Sequence, residues 1–68
     1  MAVYKLFCFD GAGKLWVNDW IEVDTDEQAV SAARAVKDAA KCEVWRRNQL
    51  VATIQDGRAM YREFRPLI

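Results

Sequence analysis

Leu15-Trp16-Val17-Asn18-Asp19-Trp20-Ile21-Glu22-Val23 followed by Asp24-Thr25-Asp26-Glu27-Gln28 is the stretch where the hydrophobic period of the chain changes. Over 15–23 the odd positions Leu15, Val17, Ile21 and Val23 are apolar, with Asp19 breaking the row, and the even positions Trp16, Asn18, Trp20 and Glu22 are mixed. A period of two with one apolar face predicts a half-buried strand. From Asp24 the signal becomes that of a helix start. Either Asp24 with Glu27 or Thr25 with Gln28 fits a capping box, and the acidic first turn complements the helix dipole. At 100° per residue Ala29, Ala33, Val36 and Ala40 fall on one narrow stripe, opposite Glu27, Ser31, Arg34 and Asp38. The spacing predicts a helix running to about Ala40 or Lys41. Its alanine stripe lets the axis lie close to a sheet that supplies the larger side chains.

Working outward, Val3-Tyr4-Lys5-Leu6-Phe7-Cys8-Phe9 is rich in aromatic and β-compatible residues and reads as a first strand. Asp10-Gly11-Ala12-Gly13-Lys14 then marks a hairpin loop. Downstream, Cys42-Glu43-Val44-Trp45-Arg46-Arg47 and Leu50-Val51-Ala52-Thr53-Ile54-Gln55 read as two more strands. Asn48-Gln49 or Arg47-Asn48 forms a tight two-residue turn between them. Asp56-Gly57 ends the last strand. The remainder, 58–68, reads as a C-terminal tail or short helix, since Met60 and Phe64 lie four apart. The expected architecture is therefore α+β in β-β-α-β-β order. One four-stranded, mainly antiparallel sheet carries a single helix on one face. The domain covers 1–57, and 58–68 is a tail packed on the domain or a partner. Strand order is not fixed by the sequence.

Length and composition bound the function. Sixty-eight residues hold one domain, 53% of them hydrophobic, which is not the composition of a disordered tail. There is no histidine, so the usual general base near neutral pH and the commonest transition-metal ligand are missing. No apolar run approaches the roughly 18 residues of a membrane span, and the first nine residues lack a basic leader segment. A cytoplasmic location is expected, with no membrane partner. In that setting Cys8 and Cys42 read as small buried hydrophobes, although in a secreted chain the two would suggest one bridge.

Formal charge is zero, ten basic residues against ten acidic. That sum hides a split. Residues 1–33 hold two Lys and six acids, a balance of −4, and 34–68 hold eight bases and four acids, a balance of +4. The zero sum argues against a uniform polyanion-binding surface and leaves room for a local basic patch.

The pattern also resembles a group of small uncharacterised proteobacterial proteins, found especially in rhizobial-type bacteria. Three pieces carry the resemblance: the aromatic strand leading into Asp10-Gly11-Ala12-Gly13, the acidic helix start with its alanine-rich continuation to Arg34, and the Glu43-Val44-Trp45-Arg46 and Leu50-Val51-Ala52 hairpin. It spans residues 4–54, implies the same β-β-α-β-β fold and a bacterial cytoplasm, and brings no activity.

No catalytic, metal or cofactor site is expected. Gly11-Ala12-Gly13-Lys14 lacks the GxxxxGK[ST] length of a phosphate loop and feeds a strand rather than a helix. The carboxylates Asp19, Glu22, Asp24, Asp26 and Glu27 read as a solvated edge and a helix cap, with a weak divalent-cation site as the alternative. The tryptophans are more informative. If Leu15, Val17, Ile21 and Val23 face the helix, Trp16 and Trp20 point to the other sheet face, and Trp45 joins them there. The opposite phase would bury one or two of the tryptophans beneath the alanine helix. An exposed apolar face of this kind is covered or used. The expectation is a non-enzymatic protein-interaction module that self-associates as a dimer or binds another protein through Trp16, Trp20, Trp45, Arg47, Met60, Tyr61 and Phe64. The alternative is a nucleic-acid-binding regulator using Arg46, Arg47, Arg58, Arg62 and Arg65 beside aromatic rings.

Overall fold

The computed structural model describes residues 1–62. Five strands and one helix follow in the order β1 (Ala2–Phe9), β2 (Leu15–Val23), α1 (Asp26–Arg34), β3 (Lys41–Arg46), β4 (Gln49–Gln55) and β5 (Arg58–Tyr61). The strands form one sheet in the order β2-β1-β3-β4-β5, every neighbouring pair antiparallel. Because β2 and β3 both run against β1, they are parallel to each other with β1 between them. Helix α1 is the crossover joining them, and it packs on one face of the sheet against β1 to β4.

Local chemistry accounts for each connection. In the β1–β2 loop the Asp10 carboxylate accepts from the Ala12 and Lys14 amides, both at 2.9 Å, and Gly13 takes φ 82°. The glycines serve a hairpin and feed β2. At the helix start the Thr25–Gln28 alternative is the one realised. Thr25 Oγ1 accepts from the Gln28 amide at 3.1 Å, while Gln28 Oε1 accepts from the Asp24 and Thr25 amides at 2.7 and 3.3 Å. Arg47-Asn48 is the tight turn of the β3–β4 hairpin, both residues at positive φ (50° and 63°) as a type I′ turn demands.

Three expectations are corrected. The sheet has five strands, not four, because Asp56-Gly57 (φ 53° and 78°) is itself a two-residue hairpin turn, and Arg58–Tyr61 pairs with Gln55–Ala52 rather than coiling into a helix. Helix α1 stops at Arg34, well before Ala40. The chain must come down from the helix layer and enter the sheet beside β1, and residues 35–40 make that descent, with Asp38 at φ 65° and the Ala40 amide donating to the Phe9 carbonyl at 2.8 Å. Leu15 does not face the helix. A bulge between Cys8 and Phe9 makes Trp16 the extra residue and pairs Leu15 with Phe9, so Leu15 is 49% exposed while Val17, Ile21 and Val23 pack on the core.

The core is assembled from alternate residues: Tyr4, Leu6 and Cys8 of β1, Cys42 and Val44 of β3, Ala52 and Ile54 of β4, and Ala29, Val30 and Ala33 of α1. Both cysteines are buried as expected. However, the β1–β3 register sets Cys8 directly opposite Cys42, and their sulfurs are joined in a disulfide. The Cys42 sulfur also lies 3.7 Å from the Ala33 carbonyl. A disulfide sulfur has no proton, so this is a packing contact that becomes a thiol hydrogen bond only on reduction.

Candidate interaction surface

The sheet face turned away from α1 is built by the other half of each alternation. On β1 these are Val3, Lys5, Phe7 and Phe9, the positions out of phase with buried Tyr4, Leu6 and Cys8. The register places Lys5 directly between Trp20 on β2 and Trp45 on β3, giving a Trp20–Lys5–Trp45 row across three strands. The Lys5 ammonium stands 4.4 Å from the centre of the Trp20 ring and 5.6 Å from that of Phe7. At those distances the cation rests on the ring face and stays hydrated on its outer side. Trp45 is held by its own strand, its indole Nε1 donating to Glu43 Oε1 at 3.0 Å, and Glu43 in turn pairs with Lys41 at 3.4 Å.

Val3, Lys5, Phe7, Trp20 and Trp45, with Arg47 and Asn48 at one end, line an open depression of about 370 Å³. Trp20 is 68% exposed and Trp16, at the bulge, 60% exposed. Trp20 and Trp45 therefore lie away from the helix, in the phase that puts Val17, Ile21 and Val23 on the core.

The remaining surface residues divide. Met60 is 57% exposed and pairs with Thr53 in the outer phase, whereas Tyr61 pairs with Ala52 in the core phase and so belongs to the helix side. Phe64 and Arg65 lie outside the described residues. Of the arginines, Arg58 stands at the β4–β5 turn in the outer phase, and Arg47 occupies the β3–β4 turn. Arg46 is on the helix side, its guanidinium 5.8 Å over the Tyr4 ring. There Arg46, Arg47 and Arg62 share the wall of a second cleft, of about 760 Å³, with Asp26, Asn48, Gln49, Leu50, Val51 and Tyr61. The structure thus brings three of the named arginines together and leaves Arg58 apart.

The acidic run does not converge. Asp24 sits 4.0 Å from the N-terminal amine, Asp26 accepts the Tyr4 hydroxyl, and Glu22 pairs with Val3 across the outer face. Among the described residues no group of three or more Cys, Asp or Glu is placed to hold a metal ion. The Tyr4 phenol is pushed above its ordinary value of 10.0, first by burial and then by its hydrogen bond to Asp26, with Arg46 acting weakly the other way.

Val3, Lys5 and Phe7 form the centre of this surface and were not singled out by sequence reasoning. Their signal is the plain alternation of 3–9, which names two faces but not which one the helix covers. No helix of the described residues is long and apolar enough to cross a membrane. The chain matches no protein-family model, no curated protein and no solved structure, so the resemblance to the proteobacterial group rests on its motifs.

Proposed function

We propose that the chain is a non-enzymatic interaction module that self-associates across a two-fold axis through its outer sheet face. The observation that carries this reading is the Trp20–Lys5–Trp45 row flanked by Val3 and Phe7, an apolar strip on the centre of a sheet that α1 leaves uncovered. At the centre of the face Lys5 and Lys41 are offset by Glu22 and Glu43, while the further cations Arg47 and Arg58 stand at the turns, so two copies related by a two-fold axis meet on the apolar strip and not on those arginines. Small domains bury a lower fraction of their surface than large ones, and covering this strip would add apolar burial that 68 residues cannot supply alone. Aromatic anchors at the centre of a patch are also where interface energy concentrates.

Light scattering on the full chain tests this. At high micromolar concentration the wild type should be a dimer, and Trp20→Glu and Trp45→Glu should be monomers with unchanged far-UV circular dichroism. A wild type that stays monomeric up to millimolar concentration sinks the reading. If that monomer instead shifts a labelled single-stranded oligonucleotide in a salt-dependent way, and Trp20→Glu does not, the stacking face belongs to nucleic acid.

A further inference from the structure

The helix-side cleft differs in chemistry from the outer face. Its wall carries three guanidinium groups, Arg46, Arg47 and Arg62, against one carboxylate, Asp26. Among the described residues none of the three arginines forms an ion pair. Asp26 already accepts the Tyr4 hydroxyl. The three positions come from separate parts of the sequence: Arg46 and Arg47 from the end of β3 and its turn, and Arg62 from the chain just beyond β5. Arg62 is fixed there by its amide, which donates to the Val51 carbonyl at 2.9 Å, at the residue that bulges out of the β3–β4 ladder. The fifth strand therefore delivers a third cation to a pair that the hairpin turn alone would present. Tyr61, exposed and in the core phase, brings an aromatic ring to the same wall.

We propose that this cleft binds a phosphate-bearing small molecule with a planar ring, of the mononucleotide class. Guanidinium groups match phosphate oxygens by paired, charge-assisted hydrogen bonds, and several on one wall select a multiply charged anion over a carboxylate. The Tyr61 ring offers a stacking surface for a base. The Asp26 carboxylate accepts from hydroxyl or amine donors of the kind that a sugar or base carries, which a bare anion lacks. A cleft of about 760 Å³ is within the usual size for such ligands. This cleft opens on the helix side and meets the outer depression only at the Arg47-Asn48 turn, which lines both, so variants at Arg46, Arg62 and Tyr61 test it apart from the dimer reading.

Isothermal titration of the full chain at low ionic strength decides it, with adenosine monophosphate, adenosine and inorganic phosphate as probes. Saturable binding of adenosine monophosphate is expected, with adenosine at least tenfold weaker. Arg46→Gln and Arg62→Gln should each weaken the nucleotide by about tenfold, the effect of losing one charge-assisted contact. Arg62 is exposed, so its variant keeps the test alive if loss of Arg46 disturbs the packing over Tyr4. Arg58→Gln, away from the cleft, should change nothing, and Trp20→Glu should bind as the wild type does. Tyr61→Ala should weaken adenosine monophosphate by about tenfold and leave inorganic phosphate unchanged. The proposal is overturned by the absence of saturable heat with the nucleotide, or by an equal loss in Arg58→Gln and Arg62→Gln, which would reduce the cleft to general surface charge. Equal affinity for inorganic phosphate and adenosine monophosphate would remove the planar ring from the assignment.

Discussion

The two faces of the sheet use opposite materials. Among the described residues those buried beneath α1 are Tyr4, Leu6, Val30, Val44 and Ile54 with three alanines from α1 and β4 and the two cysteines, and no phenylalanine or tryptophan is among them. On the far face lie the aromatic groups of Phe7, Trp20 and Trp45. A domain built for stability alone would place its bulkiest apolar side chains where they are most completely covered, since stabilisation follows apolar area removed from water. Here the buried residues of the covered face include one aromatic group, Tyr4, and its alanines let the helix sit close to strands tied by a cross-strand disulfide. The aromatic area is kept where something else can reach it. The closed core and the proposed interaction surface thus occupy different sides of one sheet.

The contrast makes ordered demands. The largest effect should come from the Cys8–Cys42 link, whose 34-residue separation corresponds to about 4 kcal/mol of chain-entropy restriction in the unfolded state. Urea unfolding with and without reductant should show a loss of that order. Once the bridge is reduced, native-state alkylation should label either thiol only slowly, because both positions are buried; rapid labelling of the folded, reduced chain would mean that the covered face is not closed. Next, Leu6→Ala should cost about 3 kcal/mol through a cavity beneath α1. Trp20→Ala should cost under about 1 kcal/mol when measured on dilute monomer, as a side chain left mostly in water has little burial to lose. Equal losses at the two positions would break the division between the faces.

Thr25→Ala removes the side-chain half of the capping box and should cost about 1 kcal/mol in the same assay. It leaves the outer face untouched, so any dimer should survive it. The smallest effect belongs to Tyr4. Its phenol is raised in the folded state, so the folded chain holds this proton more tightly than the unfolded one. The resulting stability is complete below pH 10.0, the unfolded value, and is lost as pH climbs through the folded value. Melting temperature should therefore fall above that pH, and less steeply in Tyr4→Phe, which has no proton to lose. Identical alkaline slopes in the two proteins would show that Tyr4 is not the group involved.

Much of this was legible in the residues. The change of period at 23–24, the capping box, the Asp10-to-Lys14 loop and the Arg47-Asn48 turn each depend on neighbours within a few positions, and each formed as its chemistry requires. The fifth strand was legible too: Asp56-Gly57 between Leu50–Gln55 and Arg58–Tyr61 is a strong two-residue hairpin signal, outweighed in the reading by the helical spacing of Met60 and Phe64. Helix length was not legible, since nothing in Ala35 to Ala40 opposes helix formation and the stop at Arg34 is imposed by the path back to the sheet. The same holds for Leu15, whose face depends on a bulge two strands share.

Local hydrogen bonding and side-chain alternation set most of the elements, their caps and turns, and the existence of two chemically different strand faces. Only the tertiary structure decided which face α1 covers, that β1 lies between β2 and β3 and thereby sets Cys8 against Cys42, that Lys5 stands between Trp20 and Trp45, and that Arg62 meets Arg46 and Arg47. Each of those depends on strand order. Strand order is settled by which long-range pairings bury the most apolar surface together, a property of the whole chain that no segment carries alone.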